Sequence, residues 1–173
     1  ADEIIVGIRG LLKSFKLQPY DEGTERGFLR HVLVRVGKNT GEILVTLVGG
    51  NSMFPKKHDF VKALVKRFPD ITTVTFSVNR TPEMLLLGEN NEVLYGEGYI
   101  TDILCGKRFR ISPHSFYQIN HAQTEKLYDY AIKAAKLTKK DVLLDAYSGI
   151  GTIGIIASDY VKQVQGIEYN ASA

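Results

Sequence analysis

The chain has 173 residues, 44% hydrophobic and 24% charged, which is the balance of a globular protein with a buried core. The formal net charge of +3 neither requires nor excludes a nucleic-acid partner, because such footprints depend on local clustering. Cys105 is the single cysteine, which excludes an internal disulfide and a thiolate metal cluster. The chain has no apolar run long enough to span a membrane and no signal-peptide layout at its start, so we expect a cytoplasmic protein.

The first part of the chain predicts a helix, a hairpin, a second helix and several short strands. Residues 4–16 and 56–68 carry apolar side chains at helical spacing. Residues 29–37 and 42–49 are β-rich runs around an Asn-Thr-Gly turn, which indicates a hairpin. Further short strands are predicted at 71–79, 84–88, 92–96, 98–104 and 107–112. This order predicts an α+β domain with a mostly antiparallel sheet over residues 1–112.

From Pro113 onward, helices and strands alternate. Residues 121–136 predict a helix, and its predicted apolar side comprises Leu127, Tyr130, Ala131 and Ala134. A short apolar strand at 142–147 precedes a glycine loop, a helix from about Thr152 and a second strand at 163–169. A strand–helix–strand order with a short crossover predicts a parallel pair of strands. We therefore expect residues 113–173 to open a nucleotide-binding unit.

The glycine loop has the pattern Asp145-x-Tyr147-x-Gly149-x-Gly151. Glycines at such a place let the backbone turn tightly and approach a ligand. The start of the following helix is expected to offer free N–H groups and partial positive charge. Glu168 ends the next predicted strand, where an acid usually accepts hydrogen bonds from a ribose diol.

The loop leaves more than one ligand open. GIGTIG, from Gly149 to Gly154, fits the dinucleotide fingerprint, so an NAD site and a purely structural loop are both alternatives. Asp145 argues for another ligand, because a carboxylate beside the loop would repel a pyrophosphate. S-adenosylmethionine has no phosphate and carries a sulfonium and an ammonium group. The loop therefore favours a methyl-donor site.

Four motifs in order resemble the RNA (uracil-5-)methyltransferase family. They are SFYQIN at 115–120, QTEKLY at 123–128, LLDAYSGIGTIGI at 143–155 and QGIEYN at 165–170. Residues 18–35 and 41–48 also resemble the family's central domain, so the resemblance covers nearly the whole chain. Family members methylate C5 of uridine in transfer or ribosomal RNA, and the ribosomal-RNA branch of Gram-positive bacteria is the most similar. One departure is Ser148, where many relatives have Cys.

The resemblance implies that residues 113–173 form the first βαβ part of a Rossmann-like class I S-adenosylmethionine-dependent methyltransferase fold, the truncated N-terminal part of that domain. It also implies six cofactor-binding residues, which are Gln118, Asp145, Tyr147, Gly149, Gly151 and Glu168. For the segment 113–120, a structural alternative is that Asn120 caps the helix in a capping box with Gln123 and that the aromatic residues belong to the core.

The resemblance further implies a cysteine nucleophile that adds to C6 of uracil and a carboxylate base that removes the C5 proton. In the family both lie downstream of the glycine loop. Cys105 lies upstream and is a poor substitute, so no catalytic residue is expected in this chain. The sequence therefore predicts an internal, inactive fragment of a longer enzyme. As a hypothesis, its open sheet edge either mediates self-association or packs on the antiparallel domain.

The expected partner is RNA, ribosomal rather than transfer RNA, with no membrane. Basic residues around the helix at 56–68 form either a solvated face or an RNA contact, and they are Lys56, Lys57, Lys62, Lys66 and Arg67. The histidines lack metal-ligand spacing, and only His114, within 113–120, is a candidate for lining the site. The alternatives for the whole chain are an NAD-dependent oxidoreductase fragment and a non-catalytic RNA-binding module.

Overall fold

The computed structural model describes residues 1–80, 86–88 and 91–170. The chain divides into two compact units. The first unit comprises Ala1–Gly37 and Gly41–Ile100, and the second comprises Lys38–Thr40 and Thr101–Ala173. The boundary predicted near residue 112 lies inside the second unit. Over the described residues, no helix is both long and apolar enough to cross a membrane.

The first unit is built on a four-stranded sheet. Its elements are α1 (Asp2–Ser14), β1 (Leu29–Val36), β2 (Ile43–Gly49), α2 (Lys57–Arg67), β3 (Ile71–Val78) and β4 (Asn91–Tyr95). The strands lie in the order β1-β2-β3-β4. The predicted hairpin is confirmed, because β1 and β2 pair antiparallel, as do β3 and β4.

The centre of this sheet differs from the prediction. β2 and β3 pair parallel, from Ile43↔Ile71 to Gly49↔Val78. Parallel neighbours need a crossover, and α2 provides it between the two strands. The strand predicted at 84–88 falls largely outside the described residues, and the described part, 86–88, is not a strand. The sheet is therefore mixed, with a parallel pair at its centre.

Helix α1 and helix α2 both bury one face in the core of the first unit. Ile4, Ile8 and Leu12 are spaced by one helical turn, and all three are buried. Phe60 and Leu64 of α2 are fully buried beside them in the same cluster. Burial of each such side chain contributes about 1.5–3 kcal/mol to folding. The helical periodicity of these segments therefore predicts their packing correctly.

The second unit contains two separate strand pairs. Its elements are β5 (Ile100–Leu104), β6 (Lys107–Ile111), α3 (His121–Ala135), β7 (Val142–Ala146), α4 (Thr152–Ala157) and β8 (Gln163–Ile167). β5 pairs with β6, and β7 pairs with β8. The β7–β8 pair is parallel, from Val142↔Gln163 to Ala146↔Ile167, which confirms the predicted strand–helix–strand unit.

Helix α3 starts as predicted but buries another face. Asn120 Oδ1 accepts a hydrogen bond from the Gln123 backbone N–H at 3.2 Å, which confirms the cap. The predicted apolar face is wrong, because Leu127 is 57% exposed and Tyr130 is 72% exposed. Thr124 and Tyr128 are buried instead.

The chemistry of Tyr128 explains why α3 buries a face other than the predicted one. The Tyr128 ring packs with Leu104, Phe109 and Ile156, and its hydroxyl lies 3.1 Å from the Thr152 hydroxyl. A tyrosine whose hydroxyl has a partner can occupy an interior position that apolar periodicity alone does not identify.

Candidate cofactor-binding site

A cavity of about 370 Å³ opens at the carboxyl ends of β7 and β8. Three stretches line it: 114–118 before α3, 145–153 around the glycine loop, and 168–170 after β8. Tyr128 of α3 completes the lining. Ligands of parallel α/β sheets bind in this position, beyond the carboxyl ends of the strands.

Left-handed backbone conformations shape the glycine loop. Gly149 has a φ of 55° and Gly151 a φ of 76°, a region where glycine is favoured. Tyr147 has a φ of 60° although it is not glycine, and its side chain is 92% exposed. Such a conformation costs about 1–3 kcal/mol and is found preferentially at functional sites. The Tyr147 ring therefore lines the cavity, and the left-handed backbone that places it there has a conformational cost.

Glu168 closes the loop from the end of β8. Its carboxylate accepts hydrogen bonds from the backbone N–H of Gly149 at 2.7 Å and of Asn170 at 2.8 Å. The bonds from Asn170 and Gly149 hold the pKa of Glu168 below its ordinary value. The group is therefore ionised near neutral pH and can accept further hydrogen bonds from ligand hydroxyls.

Asp145 lies at the end of β7 and ties the strand to α4. Its Oδ2 accepts a hydrogen bond from the Gly154 backbone N–H at 2.9 Å. A Cβ added at Gly154 would lie 2.9 Å from Asp145 Oδ2 and 2.9 Å from Val164 Cγ1. Gly154 is therefore a packing position, the role that the third glycine of the dinucleotide fingerprint also has.

Five of the six predicted site residues line this cavity, and Gly151 is the exception. Gly151 precedes α4 as its N-cap residue and shapes the turn instead. One of the N–H groups predicted to be free at the start of α4 is used within the chain, whereas Thr152 and Ile153 of the same helix line the cavity. The helix has six residues, and the Gly154 N–H is already bonded to Asp145.

The segment before α3 alternates between the cavity and the interior. Pro113 and Ser115 are buried, whereas His114, Phe116 and Gln118 line the cavity. The segment thus serves both of the interpretations drawn from its sequence. Tyr117 packs with the core of the second unit, and Phe116 is 74% exposed.

Sequence reasoning missed several lining residues, among them Tyr128, Ile150, Thr152, Ile153 and Asn170. Most of them stand inside the motifs QTEKLY, LLDAYSGIGTIGI and QGIEYN. The motifs themselves were therefore the signal, and selecting only Asp145, Tyr147, Gly149, Gly151 and Glu168 from them was too narrow.

The charges around the cavity are unequal. Asp145 and Glu168 line it with two carboxylates, and no Lys or Arg stands among its described lining residues. Such a lining suits a ligand with positive charge and hydroxyl groups, and it disfavours a pyrophosphate.

Cys105 lies apart from this cavity. It lines another, of about 150 Å³, together with Asp129, Asp159 and neighbouring apolar side chains. Burial, and then the charges of Glu125 and Asp129, raise the pKa of its thiol. A thiol in such surroundings is a poor nucleophile.

Several curated proteins are similar to this chain along almost all of its length, although no protein-family model matches it. An uncharacterized RNA methyltransferase of Oceanobacillus iheyensis is 41% identical over 167 residues, 96% of this chain and 36% of the relative. An uncharacterized RNA methyltransferase of Lactococcus lactis is 42% identical over 168 residues, which are again 96% of this chain and 36% of the relative. An uncharacterized RNA methyltransferase of Staphylococcus aureus is 37% identical over 171 residues, which are 99% of this chain and 38% of the relative. The chain thus spans little more than a third of the length of these relatives.

A solved structure is also similar. It is the tRNA (uracil-54, C5)-methyltransferase of Pyrococcus abyssi in complex with S-adenosyl-L-homocysteine, with a TM-score of 0.75 and 26% sequence identity. The similarity covers 94% of this chain and 38% of that one. In both sequence and fold, this chain is therefore similar to one portion of the longer RNA methyltransferase chains.

Proposed function

We propose that this chain holds the S-adenosylmethionine-binding loop of an RNA (uracil-C5) methyltransferase. The observation that carries the proposal is one cavity lined by Gln118, Asp145, Tyr147, Gly149 and Glu168. These residues come from three separate stretches of sequence, and the resemblance assigned all of them to one cofactor. The similarity to an RNA uracil-C5 methyltransferase over 94% of the chain supports the same conclusion.

The residues of the cavity fit S-adenosylmethionine. Glu168, held ionised by two backbone N–H groups, would accept hydrogen bonds from the ribose hydroxyls. Tyr147 offers an aromatic face to the adenine, and Asp145 with Gln118 offers polar atoms to the charged methionine part. When bound, this cofactor supplies an electrophilic methyl group on a sulfonium.

The competing cofactor fits less well. NAD would bring a pyrophosphate to a loop flanked by two carboxylates, with no Lys or Arg among the described lining residues to balance it. The cavity therefore favours a methyl donor over a dinucleotide.

The substrate we propose is uridine in ribosomal RNA, with transfer RNA as the competing outcome. C5 of uracil is a weak nucleophile, and addition of a thiolate at C6 would activate it. Cys105 does not fit that role, because its thiol pKa is raised and it lines a different cavity. We assign this chain cofactor binding rather than the nucleophilic step.

Methyl transfer by the full-length gene product tests the proposal. Incubation with S-adenosylmethionine carrying a labelled methyl group and with deproteinised ribosomal or transfer RNA should yield 5-methyluridine on nucleoside analysis. At a limiting concentration of S-adenosylmethionine, Glu168→Gln should lower the yield about tenfold or more. Glu97→Gln, at an exposed glutamate of the first unit, should leave the yield unchanged. Label on another base, or no label on either RNA, would contradict the proposal.

A further inference from the structure

A buried carboxylate lies behind the segment that carries Gln118. Asp102 of β5 is 1% exposed. It accepts hydrogen bonds from the backbone N–H groups of Lys38 at 3.0 Å and Asn39 at 2.9 Å. The Tyr117 hydroxyl donates to Asp102 Oδ2 at 3.4 Å, and His121 Nδ1 lies 3.6 Å from the same oxygen. A charge so deeply buried is tolerated only where several donors surround it.

Two of these contacts flank Gln118 in sequence. Tyr117 directly precedes it, and His121 is the first residue of α3. Burial, together with the charge of Asp102 and the hydrogen bond to it, raises the pKa of Tyr117. The phenol therefore keeps its proton and remains a donor to Asp102.

The rest of the segment is held at both of its ends. The Ser112 and Ser115 hydroxyls each accept a hydrogen bond from the other's backbone N–H, at 3.2 and 3.0 Å. Asn120 caps α3 through the Gln123 N–H. Between these ends, side chains alternate, so a rotation of the backbone at Tyr117 would turn Gln118 away from the cavity.

We propose that Asp102 is a positioning residue, which holds the Tyr117 hydroxyl and thereby aims Gln118 into the cofactor cavity. The inference rests on the proposed function for the meaning of the cavity, but the positioning itself is a property of the second unit. It assigns Asp102 and Tyr117 a role in cofactor affinity although neither lines the cavity.

A double-mutant cycle on S-adenosylhomocysteine binding tests the inference in the full-length gene product. Tyr117→Phe, which removes only the hydroxyl, should weaken binding about fivefold to tenfold. Gln118→Ala should also weaken it, and adding Tyr117→Phe to Gln118→Ala should change nothing further. Tyr130→Phe, at an exposed tyrosine of α3, is the matched control and should bind like the unaltered protein. Equal losses in both backgrounds, or no loss from Tyr117→Phe, would overturn the inference.

Amide hydrogen exchange tests the same positioning of segment 113–120 in the absence of a ligand. Tyr117→Phe and Asp102→Asn should each speed amide exchange in segment 113–120 by about tenfold, and Tyr130→Phe should not. Unchanged exchange in that segment would overturn the inference. Failure of the unaltered protein to bind S-adenosylhomocysteine would instead contradict the proposed function, and the exchange result would still decide the positioning.

Discussion

Two strand–helix–strand units of the same topology differ at the carboxyl end of their first strand. β2–α2–β3 and β7–α4–β8 each join two parallel strands through a helix. After β2, a Cβ added at Gly50 would meet the Tyr20 ring at 2.3 Å. After β7, a Cβ added at Gly149 would have no atom within 4 Å. The first glycine makes room for packing, and the second borders an open cavity.

The side chains beyond the strands continue this difference. Phe54 follows β2 and packs its ring against Phe28, Phe60 and Phe76, with centroids 4.4 to 5.4 Å apart. Tyr147 follows β7 and is 92% exposed. Topology alone therefore does not make a cofactor site. The site depends on whether aromatic side chains fill the space at the strand ends or leave it open beside carboxylates.

The largest expected effect separates the two aromatic residues. Phe54→Ala should lower the free energy of unfolding by about 3–5 kcal/mol, because it leaves a cavity among three rings. Tyr147→Ala should change that free energy by less than about 0.5 kcal/mol, because the ring is exposed. It should weaken S-adenosylhomocysteine binding about threefold to tenfold.

Urea unfolding and calorimetry measure both quantities. Destabilisation of similar size by the two variants would break the comparison. So would a Tyr147→Ala variant with unchanged ligand affinity.

The second effect concerns the glycine that joins α4 to the strands. Gly154→Ala should destabilise the chain by about 1–3 kcal/mol and weaken ligand binding, because its Cβ would press on Asp145 and Val164. Gly10→Ala, inside α1, is the matched control. Its Cβ would meet only Arg67 Nη1 at 3.5 Å, so it should stabilise the helix by up to about 1 kcal/mol. Urea unfolding that shows Gly154→Ala as stable as the unaltered chain would contradict the packing role.

The third effect concerns the β2–α2–β3 unit, which has no open cavity at the end of its first strand but carries exposed positive charge on α2. Lys62 and Lys66 of α2 are exposed, whereas Lys57 forms an ion pair with Glu92. Lys62→Glu with Lys66→Glu should weaken RNA binding about tenfold and lower the salt slope by about two. Filter binding of the full-length gene product at several salt concentrations measures this. An unchanged slope would remove this helix from the RNA surface.

The smallest effect is a pH dependence. The pKa of Glu168 is lowered in the folded chain, so the stability it contributes is present above the unfolded carboxyl pKa of about 4.3 and is lost as pH falls through the folded value. Affinity for S-adenosylhomocysteine should therefore stay level from pH 7 to about 5 and decline only below the ordinary carboxyl range. Calorimetry across this range measures it. A decline that begins above pH 5 and persists in His114→Gln, which removes the imidazole that lines the same cavity, would contradict the ionised Glu168.

The sequence predicted local elements better than their partners. Helical and strand periodicity located α1, α2, β1, β2 and the β7–β8 pair within a few residues. It missed the parallel pairing of β2 with β3, although a helix between two apolar strands was a usable signal. It also chose the wrong face of α3, because burial of Tyr128 depends on a hydroxyl partner in α4.

The candidate site was also predictable only in part from the sequence. Glu168 and the glycine loop follow from position in a strand–helix–strand unit, which local sequence can indicate. Gln118 came from the resemblance. The network behind it could not be predicted, because Asp102 and Asn39 approach Tyr117 and His121 only through tertiary packing.

The most direct test of the central claim is calorimetric titration of the full-length gene product with S-adenosylhomocysteine and with NAD, repeated on Glu168→Gln. We expect S-adenosylhomocysteine to bind, NAD not to bind, and Glu168→Gln to weaken the binding of S-adenosylhomocysteine by about tenfold or more. Binding of NAD, or equal affinity of Glu168→Gln for S-adenosylhomocysteine, would contradict the claim.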